Sequence, residues 1–88
     1  MRIISSSDAF ERKLVKFLKQ HKELAKDVRE TFRRLEVDIR DSKLKTHKLH
    51  GKMKNSYACS INYRYRIVFE FDENNIYPDS IGPHDAVY

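Results

Sequence analysis

The stretch Tyr65-Arg66-Ile67-Val68-Phe69-Glu70-Phe71 alternates with a period of two, and the rest of the fold can be read outward from it. In a strand successive side chains point to opposite faces, so Tyr65, Ile67, Phe69 and Phe71 share one face and need a cover. Arg66, Val68 and Glu70 then lie on the other side, and Arg66 is aimed away from the core. Upstream, Tyr57-Ala58-Cys59-Ser60-Ile61 alternates in the same way and supplies a neighbouring strand. Downstream, Asp72-Glu73-Asn74-Asn75 has the composition of a hairpin loop. Ile76-Tyr77-Pro78-Asp79-Ser80-Ile81 returns as a further strand, in which Pro78 marks an edge or an irregularity. Arg2-Ile3-Ile4 adds a short N-terminal strand.

The cover comes from the first half of the chain. Ser5-Ser6-Ser7-Asp8 offers a helix N-cap, since a short side-chain oxygen can accept the unpaired amides of a first turn. Phe10, Leu14, Phe17 and Leu18 fall at i, i+4, i+7 and i+8, an apolar stripe on a helix that ends near Gln20-His21, with a lysine-rich outer face. Leu24, Val28, Phe32 and Leu35 repeat that spacing, so residues 22–36 read as a second helix, antiparallel to the first. The expected fold is α+β, one domain over residues 1–88. In it, two N-terminal antiparallel helices pack on one face of a small, mostly antiparallel β-sheet.

With 88 residues, 35% charged and 40% hydrophobic, there is room for one core. No run approaches the ~18 consecutive apolar residues of a membrane span, and the start MRIISSSDAF lacks the apolar stretch of a signal peptide. The expectation is a cytoplasmic protein with no membrane partner. A single cysteine, Cys59, rules out an internal disulfide, so packing alone holds the fold. Ten aromatics, two Gly and two Pro speak against a disordered basic tail.

The charge is segregated. Residues 1–39 carry ten Lys/Arg against seven Asp/Glu, the balanced mixture of exposed helix faces. Residues 42–66 carry Lys43, Lys45, Lys48, Lys52, Lys54, Arg64 and Arg66 with two histidines and no acid, whereas residues 67–88 carry five acids and no Lys/Arg. The middle stretch has the character of a polyanion footprint.

Four histidines sort by position. His21 sits at the helix turn, where a cation near a helix C-terminus is favourable without further role. His47 and His50 lie in the basic run, and His84 in the tail Gly82-Pro83-His84-Asp85-Ala86-Val87-Tyr88. A metal set of His47, His50, His84 and Asp85 matches no strong zinc spacing and is opposed by the surrounding lysines, so neither metal nor cofactor is expected. Cys59 alternates with Tyr57 and Ile61 as a buried small residue rather than a nucleophile. There is no Gly-rich phosphate loop. Two readings remain open from the residues alone. One is metal-free phosphodiester cleavage, in which histidines move protons, Arg66 and lysines hold the phosphate, and an exposed tyrosine stacks on a base. The other is a basic surface that binds and does no chemistry, in which Arg66 pairs with Glu70 on its own face.

The span His47-Lys48-Leu49-His50-Gly51, then Tyr57 to Ile61, Tyr65 to Phe69, and Ile81-Gly82-Pro83-His84-Asp85-Ala86-Val87-Tyr88 resembles the RelE/ParE superfamily of toxin–antitoxin toxins, nearest its YafQ-type branch. The two helices agree only in pattern, and residues 44–88 agree in motif. His-x-Leu-x-Gly and Gly-x-His-x-x-x-aromatic are the discriminating elements.

What the resemblance implies is a translation-inhibiting, plasmid-stabilising toxin, an endoribonuclease acting on messenger RNA in the ribosomal A site. It would cut by 2′-hydroxyl attack without a metal and be held inactive by a cognate antitoxin. Carried over, His84 takes the catalytic C-terminal histidine, His47 the histidine opening the first strand motif, Arg66 the strand arginine and Tyr88 the terminal aromatic. Lys45, Lys48, His50, Lys52, Lys54 and Arg64 are the RNA-binding set. The chain departs from the YafQ type where that branch has a further histidine and an aspartate, here Ser60 and Arg64. The second proton-transfer role then passes to Lys and Arg, or to His50. The competing functions are a ParE-type poison of DNA gyrase, which has no need of histidines flanking a basic sheet, and a degenerate toxin-like domain that binds RNA intact.

Overall fold

A computed structural model of the chain describes residues 1–51 and 55–83. Strand β1 (Ile3–Ile4) leads into helix α1 (Asp8–Gln20), a 3₁₀ turn (Lys22–Leu24) and helix α2 (Ala25–Val37). Strands β2 (His47–Lys48), β3 (Tyr57–Ser60), β4 (Tyr65–Phe71) and β5 (Asn75–Pro83) follow. The five-stranded sheet has the order β1-β5-β4-β3-β2; β1 runs parallel to β5 and the other pairs are antiparallel. This is the α+β arrangement expected, with both helices on one sheet face. No helix among the described residues is long and apolar enough to cross a membrane.

Local chemistry explains the helix bounds. Ser7 Oγ accepts from the Phe10 amide at 3.1 Å, and Asp8 and Glu11 place negative charge in the first turn of α1. The second helix starts later than the periodicity indicates. Leu24 N–H bonds the His21 carbonyl at 2.9 Å, a tight 3₁₀ turn that drops Leu24 into a cluster with Phe17 and Val28. His21 fills the corner, its ring 4.6 Å from Phe17 and 4.8 Å from Tyr65, in keeping with a structural role.

Under the helices lies the main core of Leu35, Ile39, Leu44, Cys59, Ile67, Phe69 and Ile76. Tyr65, Ile67, Phe69 and Phe71 turn to this side as the alternation requires. Val68 belongs to the opposite face, yet it is buried, with Ala58, beneath Leu49.

Strand β5 is longer than the sequence suggests and carries an irregularity. Phe69 pairs with Pro78 while Val68 pairs with Ser80, so Asp79 is the extra residue of a bulge. The bulge resets the phase. Ile76 and Pro78 share the helix face, and without the extra residue Ile81 would point to the other side. With it, Ile81 lies opposite Ile67 and packs inward. Beyond Ile76, β5 has no partner on its outer side among the described residues, which suits Pro78, a residue with no amide to donate.

Strand β2 has only two residues, too few for a period to show in the sequence. The chain reaches it through Asp38 and Asp41, whose carboxylates accept from the Arg40 and Lys43 amides, and through Lys45, at a positive φ of 51°. Leu44 anchors this loop in the core, and its carbonyl accepts from Ser60 N–H at 2.7 Å.

Candidate active site

The sheet face turned away from the helices carries the candidate chemistry. Arg66, the second residue of β4, stands opposite Ser60 on β3 and Gly82 on β5. Its Nη1 donates to Ser60 Oγ at 3.2 Å and to the Asn62 carbonyl at 3.4 Å. Nε is buried and has no hydrogen-bond partner among the described residues, an orphan donor of the kind that functional sites tolerate. The guanidinium is therefore fixed through one nitrogen, while its fork has further N–H groups to offer a phosphate. Arg66 is not paired with Glu70; no ion pair between them forms.

The hairpin that holds Arg66 is itself ordered by side-chain chemistry. Asn62 Oδ1 accepts from the Arg64 amide at 2.8 Å and the Tyr65 amide at 2.9 Å, and Ile61 N–H bonds the Tyr65 carbonyl at 2.9 Å. Tyr63 and Arg64 are held outward at the tip, both exposed.

His47 opens β2 opposite Ala58, which lies opposite Val68, so the imidazole belongs to the same face as Arg66. With two strand spacings across and two residues along, the His47 and Arg66 Cα atoms are ~12 Å apart. His47 Nδ1 lies 3.1 Å from the Lys45 carbonyl, which can only accept.

Lys48 alternates to the helix-side face opposite Tyr57. There it lines a pocket of about 290 Å³ with His47, Arg40, Thr46, Tyr57 and Phe71. Lys45, His50 and Arg64 are exposed. Lys52, Lys54, His84, Asp85 and Tyr88 lie outside the described residues. Strand β5 ends at Pro83, opposite Tyr65, so the described chain stops one residue short of His84 and next to the Arg66 row.

Cys59 is fully buried, and that burial pushes its thiol up to about 12, consistent with an inert core residue. Ser60 and Asn62 as the holders of Arg66 were not singled out from the sequence. An asparagine in a short inter-strand gap is the available signal for the turn, but no signal marks a carbonyl as a guanidinium acceptor.

No family model matches the sequence, and no curated protein matches it. The fold is nevertheless shared with YafQ and YoeB toxins of solved structure. YafQ from E. coli strain BL21(DE3) superposes with a TM-score of 0.81 over 100% of this chain and 99% of that one, at 14% identity. The E. coli DinJ-YafQ toxin-antitoxin complex gives 0.79 over 99% and 97%, at 16% identity. The YoeB-YefM complex from Staphylococcus aureus gives 0.76 over 96% and 98%, at 22% identity.

Proposed function

We propose that this chain is the toxin of a toxin–antitoxin pair, a cytoplasmic, metal-independent, ribosome-dependent endoribonuclease that cleaves messenger RNA in the A site. The observation that carries the reading is Arg66. An arginine pinned by Ser60 and Asn62 on the sheet face turned from the helices, with a buried unpartnered Nε, is a preorganised phosphate ligand. The fold shared with YafQ and YoeB toxins supports it.

In the proposed reaction the ribose 2′-oxygen attacks the adjacent phosphorus, the P–O5′ bond breaks, and a 2′,3′-cyclic phosphate and a 5′-hydroxyl result. His47 and His84 share proton transfer, one taking the 2′-hydroxyl proton and the other protonating the departing 5′-oxygen. Arg66 neutralises the negative charge that builds on the non-bridging oxygens. With Cα atoms ~12 Å apart on one sheet face, His47 and Arg66 can both reach a phosphodiester bound between their strands. Tyr88 serves as the terminal aromatic against a base. An antitoxin holds the toxin inactive by covering the basic stretch of residues 42–66; the antitoxins in the DinJ-YafQ and YoeB-YefM complexes support that partner.

Primer extension on messenger RNA in a bacterial translation extract tests the reading. Discrete new 5′ ends that require ribosomes, survive a chelator and disappear with His84→Ala are the expected result. Intact messenger would overturn it, and inhibited supercoiling in the same preparation would assign a gyrase poison instead.

A further inference from the structure

Tyr63 is 89% exposed, an aromatic at the tip of the β3–β4 hairpin that contributes nothing to either core cluster there. Exposure alone means little, but the setting of this residue is specific. The turn is rigid, because Asn62 Oδ1 caps the amides of Arg64 and Tyr65 on either side of the tip. The carbonyl of Asn62, in the peptide bond leading into Tyr63, is the oxygen to which Arg66 Nη1 donates. The Tyr63 backbone therefore begins one peptide bond away from the guanidinium assigned to the phosphate. Exposed Arg64 follows it, and no acid occurs anywhere in residues 42–66.

We infer that Tyr63 is a stacking platform for an unpaired base of the bound RNA, next to the phosphate held by Arg66. An exposed π face on the turn that also carries Arg64 and precedes Arg66, and that does not have to be ordered on binding, matches what single-stranded RNA offers: a base and its phosphates at short spacing. A protein partner anchored through Tyr63 would want apolar neighbours around the ring, and the tip offers Asn62 and Arg64 instead. This inference rests on the proposed RNA substrate and identifies the subsite that reads the nucleotide beside the cut.

The chain contains no tryptophan, so Tyr63→Trp installs a single indole reporter at the tip. Its emission is followed as the full chain is titrated with a short 2′-O-methyl RNA, which cannot be cleaved, and with inorganic polyphosphate, which has charge but no bases. Quenching by the RNA and not by polyphosphate is the expected result. Alongside it, Tyr63→Ala weakens RNA binding about tenfold while Tyr63→Phe retains it. Unchanged emission with RNA, equal quenching by polyphosphate, or a response only to a co-expressed partner protein would each overturn the inference. Binding is read without cleavage, so stacking with no cleavage in extract would sink the nuclease reading and keep this one. Normal cleavage by Tyr63→Ala with an unresponsive indole would do the reverse.

Discussion

Arg66 shows what one side chain contributes when its neighbours fix it. Ser60 and the Asn62 carbonyl both take Nη1, so the rest of the planar fork is oriented before any substrate arrives. A lysine keeps the charge and loses the fork, because a single ammonium on a flexible stem cannot bridge these two oxygens and address a phosphate in a fixed direction. Arg66→Lys is therefore expected to lose about 10²- to 10³-fold in messenger cleavage, close to the loss from Arg66→Ala. Cleavage rates measured on variants with unchanged circular dichroism check this; a lysine variant near full activity would show that charge alone suffices. Cys59, one residue before Ser60, is the contrasting case. Its thiol stays protonated at neutral pH because burial raises it to about 12, so alkylation by iodoacetamide at pH 8 should be negligible in the native chain and rapid in denaturant. Fast labelling of the native protein would mean that β3 opens.

The β4–β5 hairpin shows how an element is held by one carboxylate. Asp72 Oδ2 accepts from the Tyr77 hydroxyl at 2.8 Å, while Oδ1 accepts from the Asn74 and Asn75 amides at 2.9 and 2.8 Å. The Tyr77 hydroxyl first, and the two amides after it, hold the Asp72 carboxyl below its ordinary value. The folded value is depressed, so the stabilisation is complete above the unfolded value of about 3.9 and is lost as pH falls through the lower folded one. Urea denaturation should accordingly show the gap between the wild type and Asp72→Asn wide at pH 6 and narrowed below pH 3. A gap independent of pH would remove the carboxylate from the account. The alternation of β4, the helix stripes and the Ser7 cap are local features, and local features are legible in a sequence. The Asp79 bulge is not: whether Ile81 points in or out depends on pairing with Ile67 across the sheet, a non-local fact. Likewise β2 exists only because Ala58 and Tyr57 are there to pair with it. At the site, residue types named His47 and Arg66, but the grip of Ser60 and Asn62 on Arg66 depends on the hairpin geometry, which no composition encodes.

Across the whole molecule, segregation of charge along the chain is kept only in part in space, because Arg2 donates to the Asp72 carbonyl at 2.7 Å and Arg40 and Lys48 line a pocket with Phe71. Strand β4 has seven residues, so about 20 Å separates its two turns. Arg64 and Arg66 lie at one end, and Asp72 and Glu73 at the other. A polyanion is drawn more to the first, whose turn holds no acid, than to the second, where Asp72 and Glu73 stand beside Arg2. The outer face of α1 differs, since Arg12, Lys16 and Lys19 share it with Glu11. Binding of an uncleavable single-stranded RNA should weaken steeply with salt, each phosphate contact adding about 0.7 to the logarithmic slope. Arg64→Gln and Lys45→Gln are each expected to flatten that slope by about 0.7, and Arg12→Gln to leave it unchanged. Equal flattening by all three would mean that net charge, rather than the basic end of the sheet, collects the RNA. Under the proposed function, an antitoxin is expected to bring its acids to the Arg64 end, where masking the cations and blocking Arg66 are a single act.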